Sequence, residues 1–105
     1  MWKNIDMKYV KSIEMCVGEF EINMPLLFPY GKCKIKIYEK QSGEYYGYSD
    51  IKIKSEGGDY SIIKSYGKTK DEVLNNLINV FVELNEKYPE GLEEHEIEYI
   101  EYPDF

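Results

Sequence analysis

Residues 32–39, Lys-Cys-Lys-Ile-Lys-Ile-Tyr-Glu, alternate strictly between apolar and polar side chains. A period of two fits an extended strand with one buried face and no helix. Cys33, Ile35 and Ile37 point one way; Lys32, Lys34, Lys36 and Tyr38 point the other. Such a strand requires neighbours in a sheet and an apolar layer over its buried face. Gln41-Ser42-Gly43 supplies turn chemistry, and Glu44–Lys54 reads as a second strand with Tyr45, Ile51 and Ile53 inward, so the two form a hairpin. Gly57-Gly58-Asp59 turns the chain again into a third strand, Tyr60–Tyr66, with Ile62 and Ile63 on opposite faces. The lysines and tyrosines of the outer face suit a sheet with solvent on one side.

One amphipathic helix is expected to cover the other side. Thr69-Lys70-Asp71-Glu72 has the form of a capping box, with acids in the first turn where the helix end is positive. Val73, Leu74, Leu77, Ile78, Phe81, Leu84 and Tyr88 recur at three- and four-residue spacing, opposite Asp71, Asn75, Asn79 and Glu83; Pro89 and Gly91 stop the run. Upstream, Ile13, Met15 and Val17 share one parity and Phe20, Ile22 and Met24 the other, which a bulge or tight turn at Gly18 explains. A bent strand is favoured there, with a hairpin as the alternative. Pro25 and Pro29 bracket an apolar connection, Leu26-Leu27-Phe28, that packs either on the domain or on a partner. His95–Tyr102 is expected to be a last, acidic edge strand. The expected fold is a single α+β domain over residues 1–105, an antiparallel meander of four to five strands packed on one amphipathic helix in the order β-β-β-β-α-β.

Charge is divided along the chain. Residues 1–70 carry twelve lysines and nine acids, whereas residues 71–105 carry one lysine, Lys87, and eleven acids, so a net +3 is followed by a net −10. No apolar run approaches the roughly 20 residues of a membrane-spanning helix, and Met1–Val10 lacks a secretory-signal pattern. Cys16 and Cys33, without metal-ligand spacing, read as two small buried hydrophobes, which makes a cytoplasmic, reducing location the expectation. All thirteen basic residues are lysines and alanine is absent, a composition that suggests an AT-rich bacterial or phage source.

The residues assemble no enzyme motif. The lone His95 lies in Glu93-Glu94-His95-Glu96 without a second histidine to complete a zinc site, the serines lack a nucleophile elbow, and Gly57-Gly58 lacks a phosphate-loop pattern. No catalytic residue, metal or cofactor is expected. The lysine and tyrosine side chains Lys32, Lys34, Lys36, Tyr38, Tyr46, Tyr48, Lys52 and Lys54 offer cations and stacking surfaces of the kind that bind single-stranded nucleic acid. Against direct nucleic-acid binding stand the net charge of −7, the absence of arginine, and Glu39, Glu44 and Asp50 in the same strands.

Gly67-Lys68-Thr69-Lys70-Asp71-Glu72-Val73-Leu74-Asn75-Asn76-Leu77 resembles the strand-to-helix junction of HicB-type antitoxins and related immunity proteins, through Gly67, Thr69, Asp71, Glu72, Val73, Asn76 and Leu77. Tyr48-Ser49-Asp50-Ile51 is similar to a second short motif of that family. The resemblance is confined to this junction and implies a small β-β-β-α domain that inhibits a partner ribonuclease. Double-stranded-RNA-binding domains have a similar helix entrance, but their phosphate-contacting lysines would fall at Asp71 and near Asn75 here.

Together these readings give the expectation of a small, acidic, non-catalytic inhibitor, immunity- or antitoxin-like, that binds a basic partner such as a cognate nuclease toxin. Its contact residues would be Asp71, Glu83, Glu93, Glu94, Glu96, Glu98, Tyr99, Glu101 and Tyr102. The alternative is a nucleic-acid-binding or regulatory module using the lysine and tyrosine sheet face. The oligomeric state stays open.

Overall fold

The computed structural model describes residues 2–101 and 104–105. Four antiparallel strands, β1 (Glu14–Asn23), β2 (Lys32–Lys40), β3 (Tyr45–Lys54) and β4 (Tyr60–Gly67), lie side by side in chain order. The helix α1 (Lys70–Lys87) follows, and a short strand β5 (Ile97–Tyr99) returns to pair with β3. This is the expected α+β meander with one helix and a closing strand. Cross-strand partners share a face, so the register sorts the side chains. Ile35 opposite Ser49 and Phe20, and Ile37 opposite Gly47 and Gly18, face inward. Tyr38 opposite Tyr46, and Tyr46 opposite Tyr66, face outward.

The core lies between the inner face and α1, where Val73, Leu77 and Phe81 are fully buried against Cys33, Ile35, Ile37 and Ile51. Gly47 lets the helix approach, because a Cβ there would stand 2.9 Å from Val73 Cγ1 and 3.1 Å from Ile37 Cγ1. Thr69 caps α1 by accepting the Glu72 amide at 3.1 Å. The Glu72 carboxylate reaches back one residue further than expected, to the Lys68 amide at 3.4 Å. At the other end, Gly91 adopts φ +87°, and a Cβ there would fall 2.5 Å from the Leu26 carbonyl oxygen. The proline-bracketed connection thus docks on this domain: Leu27 and Phe28 are buried, Phe28 meets Phe81 edge-to-face at 5.2 Å, and Leu92 donates its amide to Leu27 at 2.8 Å.

The N-terminal strand is single and bent, with Val17 as the extra residue where the β1–β2 register slips between Cys16 and Gly18. The bulge corrects one expectation. Cys16 opposes Tyr38 on the outer face and is exposed, while Cys33 alone is buried. The last strand is also shorter than His95–Tyr102. β2 covers β3 only from Tyr45 to Ser49, which leaves Ile51–Ile53 free on that side, and β5 fills this fork with three residues. Glu94–Glu96 instead form a 3-10 turn, closed by Glu96 Oε1 accepting the Glu93 amide at 2.9 Å. Asp50 spans the fork, its Oδ1 accepting the Lys34 amide at 2.9 Å and its carbonyl accepting the Ile100 amide at 2.5 Å. β5 therefore lies in the fork, paired with β3 on one side and, among the described residues, with no strand on the other, while β1 and β4 end the four-strand path.

Candidate functional site

Two charged surfaces result, one at the end of the molecule and one across the sheet. The first is built where α1 stops. Its last-turn carbonyls form the negative end of the helix dipole, and Lys87 is the basic residue of that turn. Glu90, Glu93 and Glu96, together with Lys87, line a concavity of about 530 Å³ there, with Tyr88, Pro89 and Gly91 between them. Glu94 stands beside Tyr30 and holds its phenol above the ordinary value. Glu98 lies opposite Lys52 on the outer face, and with Glu101 and Asp104 it lines a separate hollow.

The expected contact residues separate into groups. Glu93, Glu94 and Glu96 lie in one 3-10 turn after the helix, Glu93 and Glu96 lining the concavity at its end, whereas Glu98 and Glu101 line a separate hollow beside Lys52. Glu83 is exposed one helical turn before the end of α1, on the stripe that carries Asn76 seven residues earlier. Asp71 stands in the first turn of α1, separated from this region by most of an 18-residue helix, on the order of 25 Å. Tyr99 is half-buried and already engaged: its hydroxyl donates to the Lys32 carbonyl at 2.9 Å, its ring lies 5.5 Å from Tyr30, and burial pushes its phenol up to about 12. Tyr102 lies outside the described residues.

Within the acidic end, Glu93, His95 and Glu96 bring one potential metal-donor atom each within 4.8 Å of one another. His95 Nδ1 stands 3.3 Å from Glu93, but both carboxylates already accept backbone amides of their own turn. Three donors from one exposed turn with two of them so occupied make a capped turn first and a cation site only weakly.

The second surface is the outer sheet face. Tyr38 stacks on Tyr46 at 5.4 Å and on Tyr48 at 5.9 Å, and Tyr46 meets Tyr66 at 6.4 Å, so the rings form a ladder across three strands. Lys64 Nζ lies 4.9 Å from the Tyr46 ring and 5.3 Å from that of Tyr66, with Lys40 above the same pair. The Tyr46 hydroxyl donates to Glu14, and burial together with that carboxylate raises its phenol. Phe105 packs edge-on against Tyr48, with Lys36 Nζ 4.5 Å from its ring.

Three acids that counted against this face in the sequence do not lie on it. Glu39 is buried on the inner side, paired with Lys3 at 2.5 Å; Glu44 sits in the turn before β3; Asp50 points into the fork. The acids that rim the face are Glu14, Glu19 and Glu21 on β1 and Glu98 on β5. Sequence reasoning missed the roles of Glu39 and Asp50, since neither the Lys3 pairing nor the fork has a local sequence signal. Compared with protein-family models, characterised proteins and solved structures, the chain gives no significant match.

Proposed function

We propose that this chain is a non-catalytic binding protein, immunity- or antitoxin-like, that takes a basic protein partner against its acidic end. The observation that carries the reading is the convergence of Glu90, Glu93 and Glu96 on the negative end of α1, with Glu94 in the same 3-10 turn. Three carboxylates against the single Lys87 leave this concavity net negative, which suits a lysine or arginine side chain, and the surrounding field steers a cationic surface towards it. The junction resembling HicB-type antitoxins is compatible with this reading. Its residues also act structurally: Thr69 caps α1, Val73 and Leu77 fill the core, and Asn76 Nδ2 donates to the Tyr66 carbonyl at 3.4 Å.

The test is co-expression with the product of the adjacent gene, which an immunity protein should neutralise. The wild-type chain should relieve growth arrest. A variant carrying Glu90→Lys and Glu94→Lys, both exposed and outside the hydrogen bonds that close the 3-10 turn, should fail to do so while unfolding at an unchanged temperature. Protection by that variant would overturn the proposal.

A second reading, nucleic-acid binding by the outer face, is favoured by the lysines of β2–β4 and by the displacement of Glu39, Glu44 and Asp50 from that face. Its constraint is the ring ladder itself. The Tyr38 and Tyr46 planes lie 17° apart, so these rings occupy each other's faces, and Tyr66, 59% exposed at the end of the ladder, has Lys64 and Lys40 beside its ring. If Lys34→Glu, Lys36→Glu and Lys52→Glu abolished activity and the glutamate reversals did not, this reading would replace the first.

A further inference from the structure

The two strands that end the four-strand path, β1 and β4, are protected very differently. β1 carries Glu14, Glu19 and Glu21 and a bulge at Val17, and self-pairing centred on Glu19, Phe20 or Glu21 would set glutamate against glutamate. β4 has no acid, no proline and one lysine, and among the described residues no strand pairs with its far side. Its residues Tyr60, Ile62 and Tyr66 are 36%, 40% and 59% exposed. The segment Tyr60-Ser61-Ile62-Ile63-Lys64-Ser65-Tyr66 also reads almost identically in both directions.

We propose that β4 pairs antiparallel with β4 of a second copy of this chain, about a two-fold axis through Ile63. In that register Tyr60 faces Tyr66, Ser61 faces Ser65, Ile62 faces Lys64, and Ile63 faces itself. The two inner faces stay on one side of the joined sheet, with both helices over it, and the exposed Tyr66 at the end of each ladder comes opposite Tyr60 of the other copy, whose hydroxyl donates to its own His95 carbonyl at 2.7 Å. The single charge of the strand never meets its own kind. A register centred on Lys64 would oppose lysine to lysine, and one centred on Ile62 would set Tyr60 against Lys64 and take Tyr66 past the end of the partner strand, opposite Gly58. Asn76 holds the Tyr66 carbonyl, which leaves the symmetric centre, Ser61–Ser65, free to form the new ladder.

The register makes a charge-specific test possible on the full chain, by light scattering and sedimentation over a range of concentrations. The wild type should reach twice the 12.4 kDa chain mass. Ile62→Lys places lysine opposite Lys64 twice and should yield a monomer. Ile62→Glu creates two cross-strand ion pairs and should keep the dimer, more tightly at low salt than at high. The double variant Ile62→Lys with Lys64→Glu should restore association that Ile62→Lys alone loses. Thermal unfolding of each variant separates loss of pairing from loss of fold, because residue 62 is exposed in the single chain. A wild type that stays monomeric at every concentration, a folded Ile62→Lys variant that still dimerises, or equal loss of dimer in Ile62→Lys and Ile62→Glu would overturn the proposal.

Discussion

At the scale of single residues, burial decides chemistry more than residue type does. Cys16 and Cys33 sit in similar alternating runs, yet Cys16 is exposed and Cys33 buried, with its thiol pushed up to about 12, mainly by burial. Thiolate is the reactive form, so one thiol should label in the native protein and two after unfolding, counted by mass spectrometry. Two rapidly labelled thiols in the folded chain would contradict the packing of Cys33. Asp50 is the second case: burial in the fork raises its carboxyl above 3.8, although the Lys34 amide opposes the shift. The unfolded chain therefore releases this proton first as pH climbs through 3.8, the native state holds more protons in that window, and this group's contribution to stability falls with rising pH. Asp50→Asn keeps an oxygen for the Lys34 amide and removes the charge. It should be more stable than the wild type at neutral pH and lose that advantage below about 3.8, measured by urea unfolding at both ends of the range. An advantage that grew in acid would reverse the sign of the argument.

At the scale of elements, α1 was the most legible part of the chain and β5 the least. The helix announces itself twice, by Thr69 at its cap and by apolar residues repeating along one face, and the buried set Val73, Leu77 and Phe81 belongs to that stripe. Leu77→Ala or Phe81→Ala should each cost about 2–5 kcal/mol, because each leaves a cavity between helix and sheet that the bulky neighbours can only partly close. Chemical denaturation checks this, and an unchanged midpoint in both variants would contradict the helix–sheet packing. β5 could not be delimited within the expected His95–Tyr102, because its length is set by how much of β3 the departing β2 leaves unpaired. The bulge in β1 was half legible. The parity change around Gly18 signalled it, but which cysteine it would turn outward depended on the pairing with β2.

At the scale of the whole molecule, the described chain measures 49 × 25 × 22 Å and carries its charge unevenly, with Glu90, Glu93 and Glu96 gathered at the C-terminal end of α1. The Debye length is about 8 Å at physiological ionic strength, so salt screens such a field only beyond short range. Association with a basic partner should accordingly be fast at low salt and slow by roughly tenfold or more towards high salt, while dissociation changes less. Stopped-flow mixing with the adjacent gene product measures both rates, and a salt-independent association rate would argue against steering by the acidic end.

The sequence by itself determined the local structure: the period of β2, the turns, the capped helix, the bulge and the division of charge are all set by neighbours a few residues apart. The tertiary structure decided what distant residues make of one another. It buried Glu39 beside Lys3, turned Asp50 into the fork, left Asp71 apart from the glutamates at the helix end, and cleared three acids from the tyrosine face. The reason is physical. Periodicity assigns a side chain to a face of its own element, but the register of strands far apart in the chain fixes which side chain lies opposite, and that register is chosen by the packing of the whole core.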